Sequence, residues 1–157
     1  MDWISKGLDI GTKLAPEGGM ALKVLVAAVL GGILGFEREK RGKPAGLRTN
    51  MLMAGASALL LILGRDLSEE MYGDLSKNVL SVDPTRVIHA IIMGVSFIGA
   101  GTILKSPEHE AIRNLTTAST LLFSAGAGMC VAMSLYVLAA CVTALGLAVN
   151  LLARIEA

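Results

Sequence analysis

Apolar residues along this chain gather into five long, nearly charge-free blocks, running approximately over 20–36, 47–64, 86–104, 115–131 and 133–152. Each has the length a helix needs to cross a hydrocarbon layer, about 17–25 residues. Inside such a layer every backbone amide needs an internal partner, so only helices or a closed barrel are available. The blocks show no period-two alternation, which excludes the barrel. The pattern therefore predicts an all-α fold: a polytopic membrane helical bundle with about five transmembrane helices, occupying residues 20–157. Residues 1–19 form a separate N-terminal segment, with Trp3, Ile4, Leu8, Ile10 and Leu14 set among Asp2, Lys6, Asp9 and Lys13. That mixture is too short and too charged to span, and fits a short interfacial amphipathic stretch or a disordered tail. The break between the last two blocks is weak and is placed at Gly126-Ala127-Gly128, so 115–152 is either two spans or one bent span.

Composition sharpens this picture. The chain of 157 residues is 54% apolar and 17% charged, with mean hydropathy +0.65. Soluble domains run at about 45–50% and 25%. Too few polar groups remain to cover a soluble surface, which excludes an ordinary cytosolic enzyme, a disordered chain and a nucleic-acid binder. The exit of the first block, Gly35-Phe36-Glu37-Arg38, lacks a small-residue cleavage pattern, so the block is a retained span. Cys130 and Cys141 lie inside apolar blocks and read as small fillers. The 37–48 connection holds Arg38, Lys40, Arg41, Lys43 and Arg48. In the 65–85 connection Arg65 and Lys77 are outnumbered by Asp66, Glu69, Glu70, Asp74 and Asp83. Positive charge is retained inside. The first loop and the C-terminus are thus expected in the cytoplasm and the N-terminus outside.

Candidate chemistry concentrates near that first loop. Glu37 and Arg41 are four apart and can pair if the first helix outlasts the membrane. Gly42, Pro44 and Gly46 then turn the chain. Arg48 is expected at headgroup depth, gripping Glu37 with its planar fork, and Asn50 is expected to point into the helical layer. The cluster is either a topology signal or a cytoplasmic docking or anion-binding surface. Asp83-Pro84 reads as a helix start. Asp83 is also a weak metal candidate together with Asp66, Glu69, Glu70 or Asp74, though without ligand spacing. His89 and Ser96 share a face of the third block, where one hydroxyl or water can satisfy the imidazole. Asn114 is a credible N-cap, and Thr116, Thr120 and Ser124 repeat every four residues. With Asn50 and Ser57 they make either a hydrated groove or a packing seam. Small residues at Gly31/Gly35, Gly94/Gly99/Gly101, Gly128 and Ala140/Ala144/Ala148 predict a tight bundle or a homodimer through these faces. Gly99-Ala100-Gly101 could also mark a flexible point in mid-helix. The chain has no phosphate loop, no His-Glu-x-x-His pair and no carboxylate within a span, so no enzyme and no ion-coupled pump is expected.

Three segments in order resemble the membrane domain of the MgtC/SapB family. They are Gly31-Gly32-Ile33-Leu34-Gly35-Phe36-Glu37-Arg38-Glu39 with Ala45-Gly46-Leu47-Arg48-Thr49-Asn50, then Asp83-Pro84-Thr85-Arg86 with the 94–104 run, then Arg113-Asn114-Leu115-Thr116-Thr117-Ala118. The resemblance covers roughly 20–152 and implies a multi-pass protein of the bacterial inner membrane linked to growth in low magnesium. In pathogenic members it implies survival inside host cells. It further implies a regulatory role exerted on other membrane proteins, with membrane lipid and those proteins as partners. No cofactor is implied, with Mg²⁺ the one ion in question. The C-terminal soluble domain of longer members is not expected here. Within the matched motifs the functional candidates are Glu37, Arg38, Arg41, Arg48, Asn50, Arg86, Arg113, Thr116 and Thr117.

Overall fold

A computed structural model of the chain describes the backbone of residues 2–74, 85–104 and 114–152, and the side chains of 17–68, 85–103 and 114–152. Five helices occupy the described residues: α1 Asp2–Lys40, α2 Leu47–Asp74, α3 Thr85–Leu104, α4 Leu115–Ala132 and α5 Tyr136–Leu152. Four contain apolar stretches long enough to cross a membrane: Glu17–Lys40, Leu47–Ser68, Thr85–Ile103 and Leu115–Ala132. The fifth is 17 residues long and equally apolar in character. At 1.5 Å per residue it reaches about 26 Å, near the lower limit for a span.

α1 extends from Asp2 to Lys40, and α2 continues through Asp74 where the sequence pattern begins a loop at 65. α1 stops in a Schellman cap. The Gly42 amide donates to Glu39 O and the Lys43 amide to Arg38 O, at 3.0 and 3.1 Å, with Gly42 at φ +62°. The same motif ends α4. The Ser134 amide donates to Val131 O at 2.9 Å and the Leu135 amide to Cys130 O at 2.8 Å, with Ser134 left-handed at φ 63°. The break is therefore at 133–135, not at Gly126-Ala127-Gly128, which lies inside α4, and 115–152 forms two helices. Gly99-Ala100-Gly101 likewise sits within a continuous α3.

α4 is the centre of the bundle. It packs on α1, α2, α3 and α5, while α1 and α2 form the most extensive pair. Small residues make these approaches possible. A Cβ at Gly35 would stand 2.7 Å from Gly46 O, one at Gly31 would overlap Asn50 O, and one at Gly128 would overlap Ala54 O. The GxxxG motif of α1 is thus used within the chain. Ala140, Ala144 and Ala148 are left exposed on α5, and Gly94 and Gly101 face open space. The core holds Ala27, Leu34, Ala54, Ala58, Leu121 and Ala125, all fully buried, whereas Leu52, Met93, Phe97 and Val137 project outward. An outward apolar shell around a small-residue core is the arrangement expected of helices solvated by lipid.

Candidate functional site

The end of the bundle next to the Arg41–Gly46 turn gathers most of the buried polar side chains. α1 keeps its helical register past the apolar block and so carries Glu37 and Arg38 inward against α4. Arg38 is 2% exposed, and its Nη2 donates to Thr117 Oγ1 at 2.8 Å. Its Nε is buried without a hydrogen-bond partner. Glu37 forms an ion pair with Arg41 one turn on, and its two carboxylate oxygens are otherwise buried without hydrogen bonds. Lys40 lies over the Phe36 ring at 4.3 Å, holding its charge on the outer face.

Asn50 is fully buried in the first turn of α2 and joins three elements. Its Nδ2 donates to Ala45 O at 3.1 Å and to Gly46 O at 2.9 Å, tying down the turn. Its Oδ1 accepts from Ser124 Oγ of α4 at 2.7 Å. One turn back along α4, Thr120 faces Asn150 of α5 at 3.3 Å. Arg38–Thr117, Asn50–Ser124 and Thr120–Asn150 therefore fasten α1, α2 and α5 to α4 by side-chain hydrogen bonds. In a hydrocarbon setting each such bond is worth about 0.6 kcal/mol on average and up to about 1.7. Glu39, reaching back from α1, accepts the first free amide of α2, Leu47 N, at 2.7 Å.

The structure corrects several residue assignments. Thr116 is exposed, and the buried face of α4 runs through Thr117, Thr120 and Ser124. A strict four-residue repeat drifts around a helix of 3.6 residues per turn, so the inward position passes from 120 to 117. Ser57 donates to Met53 O of its own helix at 2.8 Å, so it does not extend a groove with Asn50. Arg48 is exposed on the first turn of α2 and does not grip Glu37, which is held by Arg41 on its own helix, the pair that their four-residue spacing predicts. Asn114 does not cap α4 with its side chain. It is left-handed, φ 66°, and its Nδ2 donates to Thr102 O of α3 at 3.2 Å. Arg86, His89 and Ser96 are exposed on α3. Asp83 and Arg113 lie outside the described residues. Glu39 and Asn150 were not singled out by the sequence. A lone Asn inside the 133–152 apolar run was the available signal for the second, since an amide at that depth needs a partner.

Comparison with known proteins gives a consistent result. A family model described as the MgtC family matches residues 24–156. Protein MgtC of Brucella abortus is 41% identical over 128 residues, 82% of this chain and 48% of that protein. YhiD of Escherichia coli K12, whose name proposes a magnesium transporter, is 38% identical over 116 residues, 73% of this chain and 51% of that protein. Protein MgtC of Salmonella typhimurium is 34% identical over 133 residues, 85% of this chain and 52% of that protein. The chain spans about half the length of the curated relatives it matches. No solved structure matches it.

Proposed function

The chain belongs to the MgtC family, and from that premise we propose that it is a non-enzymatic regulatory protein of the bacterial inner membrane, tied to adaptation to low magnesium and acting through contacts with other membrane proteins. The observation that carries this reading is Arg38. A guanidinium 2% exposed and bonded to Thr117 stands at the inner end of the polar seam described above. A divalent cation passing within about 5 Å of it, at an effective dielectric of about 20, would meet a repulsion of about 7 kcal/mol. The amides and hydroxyls of the seam are also turned on one another, not toward a lumen. Such a seam sets how tightly α1, α2 and α5 hold α4, which is what a protein working through its outer surface needs. The basic loop lies in the cytoplasm and the N-terminus outside.

The second reading, passage of Mg²⁺ or another small solute, is favoured by the name of the YhiD relative. One experiment separates the two. The full chain is placed in liposomes holding a Mg²⁺-sensitive dye, alongside growth of cells in low magnesium. Regulation predicts dye traces equal to empty liposomes, together with impaired growth support for Arg38→Lys at normal membrane levels. Flux well above empty liposomes, lost in Asn50→Leu and Thr120→Val, refutes it in favour of transport.

A further inference from the structure

At the end of the bundle opposite the polar seam, α1, α2, α3 and the α4–α5 turn leave a cavity of about 650 Å³. That volume lies within the range of small-molecule sites, about 300–1,000 Å³. Its lining divides by chemistry. Leu61, Ile62 and Ile88 are among its apolar lining residues, and Lys23, Arg65 and Asp66 are its charged ones. The charged groups thus sum to one net positive charge in a lining that is otherwise mostly apolar.

Depth and donor chemistry restrict what fits. Lys23 lies less than two turns inside the start of the Glu17–Lys40 span, and Arg65 within one turn of the end of Leu47–Ser68. In a bilayer this is the zone where acyl chains give way to phosphates. Lys23 Nζ donates to Ala132 O at 3.4 Å, at the C-terminal end of α4 where carbonyls lack helical partners. That long contact uses one of the three ammonium donors. Lys23 is itself part of the cavity lining, and a lysine there can keep its charge toward the interface. Arg65 adds a five-donor fork able to take a phosphate in addition to the interaction it already makes. An apolar lining would be wasted on a soluble anion, whereas a lipid brings both halves at once.

We propose that this cavity is a binding site for one anionic phospholipid, with its phosphate between Lys23 and Arg65 and the start of an acyl chain over Leu61, Ile62 and Ile88. Asp66, also on the lining, disfavours a second anion. The site does not depend on whether the protein regulates or transports.

The test is native mass spectrometry of the purified full chain, offered equal phosphatidylglycerol and phosphatidylcholine of matched acyl chains. One basic group near a phosphate favours the anionic lipid about five-fold. The wild type is expected to retain phosphatidylglycerol at least that strongly, Lys23→Gln to fall toward equal retention, and Lys23→Arg and Lys43→Gln to behave as wild type. A photoactivatable phosphatidylglycerol gives an independent readout on the unaltered chain, with crosslinks expected on peptides around Lys23 and 61–66. The proposal is overturned by equal retention in the wild type, by a preference that survives in Lys23→Gln or falls equally in Lys43→Gln, or by crosslinks elsewhere. Displacement by free glycerol phosphate also overturns it, in favour of a soluble anion. A preference that arises only after Glu69→Gln, Glu70→Gln and Asp74→Asn together overturns it too, because the chain's own acidic stretch would then be the occupant.

Discussion

Replacing Gly128 with alanine adds one methyl group where α4 packs tightly against the backbone of α2 at Ala54. The new Cβ would overlap Ala54 O and stand 2.9 Å from Ala54 C and 3.0 Å from its Cα. Comfortable carbon separations are about 3.5–4.0 Å, so the helices must part by about 0.5–1 Å. Every atom that Ala54 presents is backbone, so no side chain can swing aside. Ser124 lies one turn from Gly128, and its 2.7 Å bond to Asn50 stretches with the helices to about 3.2–3.7 Å. Overpacking costs about 1–3 kcal/mol, and loss of the interhelical bond adds about 0.6–1.7. Gly126, two residues away, has nothing within 4 Å of its Cβ position, so Gly126→Ala shares the gain in helix propensity and none of the cost. The two variants should differ by about 2–4 kcal/mol in reversible unfolding in mixed micelles, with Gly126→Ala at or above wild type. Equal stability of the pair would mean that α2 and α4 do not meet as described.

Three further outcomes follow from the same contacts. A double-mutant cycle on Asn50→Leu and Ser124→Ala, read by the same unfolding assay, should give a coupling of about 0.6–1.7 kcal/mol; additive effects would show that the bond contributes nothing. Arg41→Met leaves the Glu37 carboxylate buried without its cation and should destabilise by about 1–3 kcal/mol, while adding Glu37→Gln should restore most of the loss; a double variant no better than Arg41→Met would remove the ion pair from the account. A topology reporter inserted at Gly42 should read as cytoplasmic and one at Gly73 as external, and reports from the same side would contradict antiparallel spans α1 and α2.

The five helices and their order were legible in the sequence because an apolar block of span length has few alternatives in a medium without water. Asn50 as an inward-facing group was legible for the same reason. The turn after α1 could be read from Gly42, whose left-handed backbone suits glycine. The equivalent turn after α4 could not, since Ser134 occupies the left-handed position and gives no such sign, while Gly126 and Gly128 suggest a break that α4 does not make. Partner choice was legible only in part. The four-residue spacing offered Arg41 to Glu37 and the loop offered Arg48, and the helical course of α1 through Lys40 gives it to Arg41 and leaves Arg48 outside. Which threonine of Thr116-Thr117 turns inward depended on the rotation of α4, fixed by the approach of Gly128 to Ala54 and by the Arg38–Thr117 and Asn50–Ser124 bonds. Apolar block length and the placement of charge were enough to establish a bundle of apolar helices with a basic first turn. Tertiary packing decided which polar groups share its interior, because hydrophobicity sets the depth of a residue but is indifferent to its direction around a helix, and only close contacts between neighbouring helices choose that.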